Sequence, residues 1–219
     1  MERRRVTAGT DVRRLILLRH GQTEWNADDR MQGQIDTHLT PLGRAQAVEA
    51  ARVIAMMNPS IIVSSDLLRA FDTATQIGHL TGLEVLTDKR LRETQLGDWQ
   101  GLSHSEVDAQ FPGARLAWRA DPTMAPPGGE SRVEVAHRSV PVIEELLATH
   151  PEWASGPVVC VAHGGLIAAL TAALLNLPVP NWAVFGGLGN ASWVQLSRRG
   201  HHWRLDVWNA SARVASDVL

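Results

Sequence analysis

Along the chain, short apolar runs alternate with longer stretches of helical period. Leu15, Ile16, Leu17 and Leu18 form an unbroken apolar run that stops abruptly at Arg19-His20-Gly21, the pattern of a central strand buried on both faces. Thr40 followed by Pro41 supplies an N-cap and a proline in the first turn. Leu42, Ala45, Val48 and Arg52 then continue a helical stretch to about Met57, closed by Pro59. A second strand over residues 61–65 runs into Asp66, which can cap a helix over 67–80 that Gly82 ends. Strands alternating with helices in this way predict an α/β sheet.

The second half repeats the theme. Ser131 and Glu134 stand at capping-box spacing and open a helix towards Ala148, with Pro141 marking a kink or a break. Residues 158–162 are apolar and end in His163-Gly164-Gly165, ahead of an apolar helix over 166–175. Near the C-terminus, Trp193, Val194 and Leu196 precede the turn-like stretch 197–200. Trp203, Leu205 and Val207 then alternate with Arg204 and Asp206, which predicts a hairpin and an antiparallel edge strand. Residues 1–12 are polar, begin with a run of Arg and read as a loosely ordered arm, while the Gly/Pro-rich stretch 122–129 reads as a loop. The expectation is a mostly parallel central sheet flanked by helices, with an antiparallel edge, in one domain over 13–219 preceded by the arm.

Composition narrows the function classes. With 219 residues, 44% of them hydrophobic and 20% charged, the chain can bury a sizeable core. A net charge of −2 gives no general basic field for nucleic acid or an anionic membrane, so any anion must be recognised locally. The single Cys160 lies within an apolar strand and reads as a small buried hydrophobe. The apolar run nearest the N-terminus is too short for a signal segment or a membrane span, so a cytoplasmic protein is expected.

Local recognition of an anion is what the strand ends offer. In open α/β sheets, ligands bind beyond the carboxyl ends of the strands, where residues far apart in sequence converge. The first strand delivers Arg19, His20 and Gly21; the second leads through Ser64-Ser65-Asp66 to Arg69; the later strand delivers His163 and Gly164; Glu93 lies between them. Two guanidinium forks and two imidazoles suit a phosphoryl dianion. Helices starting near Gly21, at Asp66 and at Gly164 are expected to add backbone N–H donors, and a glycine after each His to allow close backbone approach. A neutral imidazole nitrogen can attack phosphorus while the other nitrogen fixes the tautomer, which makes His20 the candidate nucleophile. Glu93 is the candidate acid that protonates the departing alkoxide. His201-His202 and the remaining histidines lack ligand spacing, so no metal site is expected.

The run Leu18-Arg19-His20-Gly21-Gln22-Thr23-Glu24-Trp25-Asn26 resembles the signature of the histidine phosphatase superfamily, also called phosphoglycerate-mutase-like. The resemblance continues through Gly33, Leu39-Thr40-Pro41-Leu42-Gly43, Ser64 to Ala70, Leu91-Arg92-Glu93 and Val161-Ala162-His163-Gly164-Gly165, to about residue 210. It implies that His20 is phosphorylated, that Glu93 gives and then takes a proton, and that Arg19, Arg69 and His163 hold the phosphoryl group. Asn26 and Gln32 match positions lining the same pocket. It further implies catalysis without metal or other cofactor, a small-molecule phosphate ester as partner, and a homodimer. The stretches 91–101, 112–119, 128–132 and 203–211 are similar to a group within the family that removes phosphate from glucosyl-3-phosphoglycerate. On that resemblance, Trp99 and Trp118 are candidates to pack a sugar face, with core packing as the alternative, and Arg115 and Arg119 are candidates for the glycerate carboxylate. The rivals are a phosphoglycerate mutase, a phosphatase of broad substrate range and a non-catalytic sensor of phosphate esters.

Overall fold

The structure, a computed structural model, describes residues 12–212. Strand β1 (Val12–Arg19) carries the first apolar run, β2 (Ile61–Ser64) the second, and β4 (Val158–Ala162) the third; β3 (Val85–Thr87) and the hairpin β5 (Trp193–Arg199) and β6 (His202–Ala210) complete one sheet in the order β3-β2-β4-β1-β5-β6. The strands from β3 to β1 are parallel, whereas β5 and β6 add an antiparallel edge. The arm expected over residues 1–12 lies outside the described residues except for Val12, where β1 begins.

Why the first run is continuous rather than alternating is visible in the layers. Leu15 and Leu17 face a core shared with helices α6 (Arg132–Thr149) and α7 (Gly164–Leu174), while Ile16 and Leu18 face one shared with α2 (Pro41–Ala55) and α3 (Leu68–Thr81). All four are buried, each contributing about 1.5–3 kcal/mol of transfer free energy. Central β4 is buried along its whole length, Cys160 included.

Several local expectations hold and others are corrected. Thr40 caps α2 by accepting from the Gly43 N–H at 2.9 Å, and Ser131 with Glu134 forms a complete capping box on α6. Helix α6 runs unbroken through Pro141. Asp66, by contrast, does not cap α3: the cap position is Leu67, the Leu68 N–H donates to Asp36 Oδ1 at 2.8 Å, and Asp66 instead forms a two-pronged pair with Arg92 at 2.7 and 2.6 Å. An ion pair with a fork on the far loop competes successfully for a carboxylate that local sequence assigns to the helix. The hairpin turns at Gly200-His201, and His202 opens β6.

Backbone proximity, not ligand approach, explains the glycine after the first histidine. A Cβ on Gly21 would lie 2.2 Å from the Gly43 carbonyl oxygen, and one on Gly43 would lie 2.0 Å from that of Gln22. The start of α2 is thus pressed directly onto the segment after β1. Gly21→Ala and Gly43→Ala are each expected to lower unfolding stability by about 1–3 kcal/mol, read as a reduced denaturant midpoint, because two backbones must separate to admit one methyl group.

Candidate active site

The sheet ladder extends one residue past each central strand and so fixes the residues that line the site. The His20 N–H donates to the Ala162 carbonyl at 3.1 Å, and the Ser65 N–H to the Val161 carbonyl at 2.9 Å. His20, Ser65 and His163 therefore stand side by side at the carboxyl ends of β1, β2 and β4, with the two imidazole centroids 5.1 Å apart.

The tautomer of His20 is set by its neighbour, and that of His163 follows the direction of the Ser65 hydroxyl. His20 Nδ1 lies 2.7 Å from the Gly21 carbonyl, an acceptor only, so Nδ1 carries the proton and Nε2 keeps its lone pair. His163 Nε2 lies 2.9 Å from the Ser65 hydroxyl, while His163 Nδ1 is buried with no protein partner. With the hydroxyl donating to Nε2, His163 presents Nδ1–H as a free donor. Burial holds both imidazoles well below the ordinary histidine pKa; Arg69 and Arg19 add to this at His20, and Arg69, His20 and Arg19 at His163. Both rings are neutral near pH 7.

Two guanidiniums complete the cluster. Arg69 projects from the first turn of α3, is almost wholly buried, and donates from Nη1 to the Ile35 carbonyl at 2.9 Å and from Nη2 to the Gly33 carbonyl at 2.8 Å. Burial lowers its pKa to about 10, so it stays charged. Arg19 donates from Nη1 to the Leu188 carbonyl. In both side chains Nε is buried without an acceptor, as is His163 Nδ1, so three N–H donors of one site lack protein partners.

Glu93 reaches the site from a loop held on several sides. Its Oε1 accepts from the N–H groups of Thr94 at 2.8 Å and Leu166 at 3.0 Å, and its Oε2 from that of Gly165 at 3.1 Å. The N-terminus of α7 thus seats the carboxylate, a correction to the expectation that these donors meet the phosphoryl group directly. A Cβ on Gly165 would lie 2.6 Å from Glu93 Oε1, so a side chain there would displace the carboxylate from this seat. The Glu93 carbonyl accepts from Arg138 Nη2 at 2.9 Å and from Gln34 Nε2 at 3.1 Å, and the Arg92–Asp66 pair fastens the preceding residue to the end of β2. Gly164 lines the cavity beside the Arg19 guanidinium.

Asn26 and Gln32 also line this cavity, which measures about 560 Å³. Asn26 is held through Oδ1 by Thr23 and by Asn190 Nδ2, and Gln32 Oε1 accepts from the Thr37 hydroxyl at 2.7 Å. Among the described residues no group of three or more His, Cys, Asp or Glu side chains is arranged to hold a metal ion.

Comparison with known proteins agrees with this geometry. Residues 15–211 match the histidine phosphatase superfamily (branch 1). The chain belongs to the histidine phosphatase superfamily. It is 62% identical over 223 residues to glucosyl-3-phosphoglycerate phosphatase of Mycobacterium tuberculosis, covering 95% of this chain and 99% of that one. The same identity relates it to glucosyl-3-phosphoglycerate phosphatase of Mycolicibacterium vanbaalenii over 225 residues, with 95% and 99% covered. Its fold matches the solved structure of a mycobacterial glucosyl-3-phosphoglycerate phosphatase in complex with VO3, with a TM-score of 0.90, 62% identity, and 91% of this chain and 100% of that one covered.

In the outer half of this histidine phosphatase's cavity, the structure separates alternatives that the sequence leaves open. Trp99 is fully buried among Met31, Leu96 and Val107, so it packs a small satellite core and is not free to meet a sugar. Trp118 stands edge-on to it at 5.8 Å and lines the cavity. Arg115 is engaged by Asp108 and turns away, whereas Arg119 lines the cavity. Arg132, to which the sequence assigns no role of its own, lines it as well, its guanidinium 5.1 Å from the Trp118 ring centroid. Its position depends on two helices meeting, which no local pattern announces. Ser65 is placed at the strand end by the sequence but its contact with His163 is not, and Arg138 is silent there, since both act through contacts with other site residues.

The neutral histidines link the site to stability. An unfolded chain has ordinary histidines near pKa 6.5, so below that value it binds protons that the folded chain refuses. Stability is therefore fully present above about pH 6.5 and is lost as pH falls through it. The thermal midpoint should drop between pH 7 and pH 5, with a shallower slope in His20→Gln and His163→Gln; slopes matching wild type in both variants would show that neither ring is held neutral.

Proposed function

We propose that this histidine phosphatase hydrolyses glucosyl-3-phosphoglycerate to glucosylglycerate and phosphate through a phosphohistidine at His20. The observation that carries the chemistry is the grouping of three buried, unpartnered N–H donors, on Arg19, Arg69 and His163, around an imidazole whose Nε2 lone pair is free. Unpaired buried donors are costly, and the oxygens of one phosphoryl group would satisfy all three. The substrate assignment is supported by the high identity to phosphatases of that name over nearly the whole chain.

The cycle in this reading is the one that the family resemblance implies. His20 Nε2 attacks phosphorus as the ester P–O bond breaks, and Glu93, entering as the acid, transfers its proton to the departing alkoxide. Glu93 then takes a proton from water, the resulting hydroxide attacks phosphorus, and the P–N bond breaks, returning the lone pair to Nε2. Arg19, Arg69 and His163 spread the charge of the transferring group throughout. The Gly21 carbonyl accepts from Nδ1–H and stabilises the cationic phosphoimidazole. Asn26, Gln32 and Gly164 shape the wall beside it.

The same reading takes the chain as one domain that acts without metal or other cofactor, in the cytoplasm, on a small-molecule ester and not on nucleic acid. Among the described residues no helix is long and apolar enough to cross a membrane. A homodimer is in line with β6 standing, among the described residues, at one edge of the sheet.

The test is phosphate release, in the presence of a chelator, from glucosyl-3-phosphoglycerate, its mannosyl counterpart, 3-phosphoglycerate and an aryl phosphate. The glucosyl ester should lead in kcat/KM, and His20→Ala should lose at least about a thousandfold on every ester. Wild type should yield an acid-labile phosphoprotein that the variant lacks. Equal turnover of all four esters would withdraw the named substrate, and binding without any phosphoprotein would favour a sensor.

A further inference from the structure

Beyond the phosphoryl end, the cavity holds a second concentration of positive charge that hydrolysis does not use. Arg119 stands near the end of α5 (Ala114–Ala120), Arg132 begins α6, and both line the cavity with Trp118. Arg132 Nη1 donates to the Arg119 carbonyl at 3.1 Å, which joins the two helices at this wall. Its guanidinium lies over the Trp118 ring, a contact that favours the cation and fixes the plane of its fork. Burial, and then repulsion from Arg119, depress the Arg132 pKa, so the two charges are near enough to oppose each other.

The nearby carboxylates are already engaged. Asp108 binds Arg115, Glu106 binds Arg30 and Ser103, Asp121 binds Thr123, Glu134 binds Ser131, and Glu130 binds Arg138. Glu93, whose charge does act favourably on Arg132, is held by α7. Among the described residues, neither Arg119 nor Arg132 has an ion-pair partner. Two adjacent guanidiniums, one half-buried, in a cavity that also contains a phosphoryl site, form an arrangement that an incoming anion would relieve.

We propose that Arg132 and Arg119, with Trp118 holding the Arg132 fork in plane, form a carboxylate subsite that reads an anionic group on the alcohol portion of the phosphate ester. The substrate class is then a phosphate ester with a carboxylate on the same small carbon skeleton, bound at both ends of one cavity. This rests on the phosphatase reading of the inner site. It assigns the discrimination between esters to a pair of residues that take no part in breaking the P–O bond.

The test compares 3-phosphoglycerate with glycerol 3-phosphate, which differ in a carboxylate against a hydroxymethyl group. Affinities are measured by calorimetry in a His20→Ala background, where neither ligand is consumed. The carboxylate ester should bind about tenfold or more tightly, as expected for a charge-assisted hydrogen bond. That ratio should collapse towards one in Arg132→Ala and fall in Arg119→Gln, with Arg132→Lys intermediate because a point charge replaces the fork. Arg119 is exposed, so its variant keeps the test valid if Arg132→Ala disturbs the start of α6. A ratio near one in the parent, or one that survives in both variants, overturns the subsite. Aryl phosphate hydrolysis by the wild-type chain reports separately on the phosphatase reading and stands or falls without it.

Discussion

Arg69 is buried against backbone carbonyls and not against a carboxylate, and the rest of the site depends on that choice. A carboxylate partner would compensate the desolvation of the guanidinium, but it would also cancel the charge that a phosphoryl group needs. The carbonyls of Gly33 and Ile35 orient the fork through two hydrogen bonds and leave its net charge intact. The same device recurs at Arg19 with the Leu188 carbonyl. Two uncancelled cations near His20 and His163 then help to keep both imidazoles neutral, the state in which one can attack and the other can donate. Buried charge, nucleophile and donor are thus one electrostatic arrangement.

That arrangement needs a frame that does not yield, and the parallel strands supply it. β4 lies between β1 and β2, and its carbonyls at Val161 and Ala162 accept from the residues just past the ends of both neighbours. The positions of His20 and Ser65 are therefore set by sheet register. Glu93 is carried differently, on a loop, yet it is tied to the same frame by the start of α7, by Arg138 and by the Arg92–Asp66 pair. A proton donor and acceptor that must serve two successive steps is held in one place by contacts from three directions.

How much of this was legible in the sequence depends on where each residue sits. The phosphoryl end was readable because continuous apolar runs identify central strands, and the residues just past such a strand must emerge at one edge of the sheet; Arg19, His20 and His163 are all placed by that rule. Capping at Thr40 and Ser131 was readable because it is settled within four residues. Asp66 was misread because its partner Arg92 lies on another segment, and β3 was missed because three residues carry too little periodicity. Trp99 offers the same contrast: a tryptophan in a loop reads as a core residue before it reads as a binding face, and the packing of Met31, Leu96 and Val107 around it decides.

The two halves of the cavity therefore differ in kind. Groups that handle phosphorus come from strand ends and the first turns of helices, where the backbone ladder dictates position to within a hydrogen bond. The wall that faces the alcohol portion of an ester comes from short helices, Ala114–Ala120 and the start of Arg132–Thr149, joined by side-chain contacts such as that of Arg132 with the Arg119 carbonyl. A change in that wall alters what is admitted without moving the sheet register, whereas a change at His20 or Arg69 alters the tautomer and charge on which the chemistry depends. Chemistry fixed by the sheet and selection carried by the appended helices is an arrangement in which the reaction can stay constant while the alcohol it releases varies.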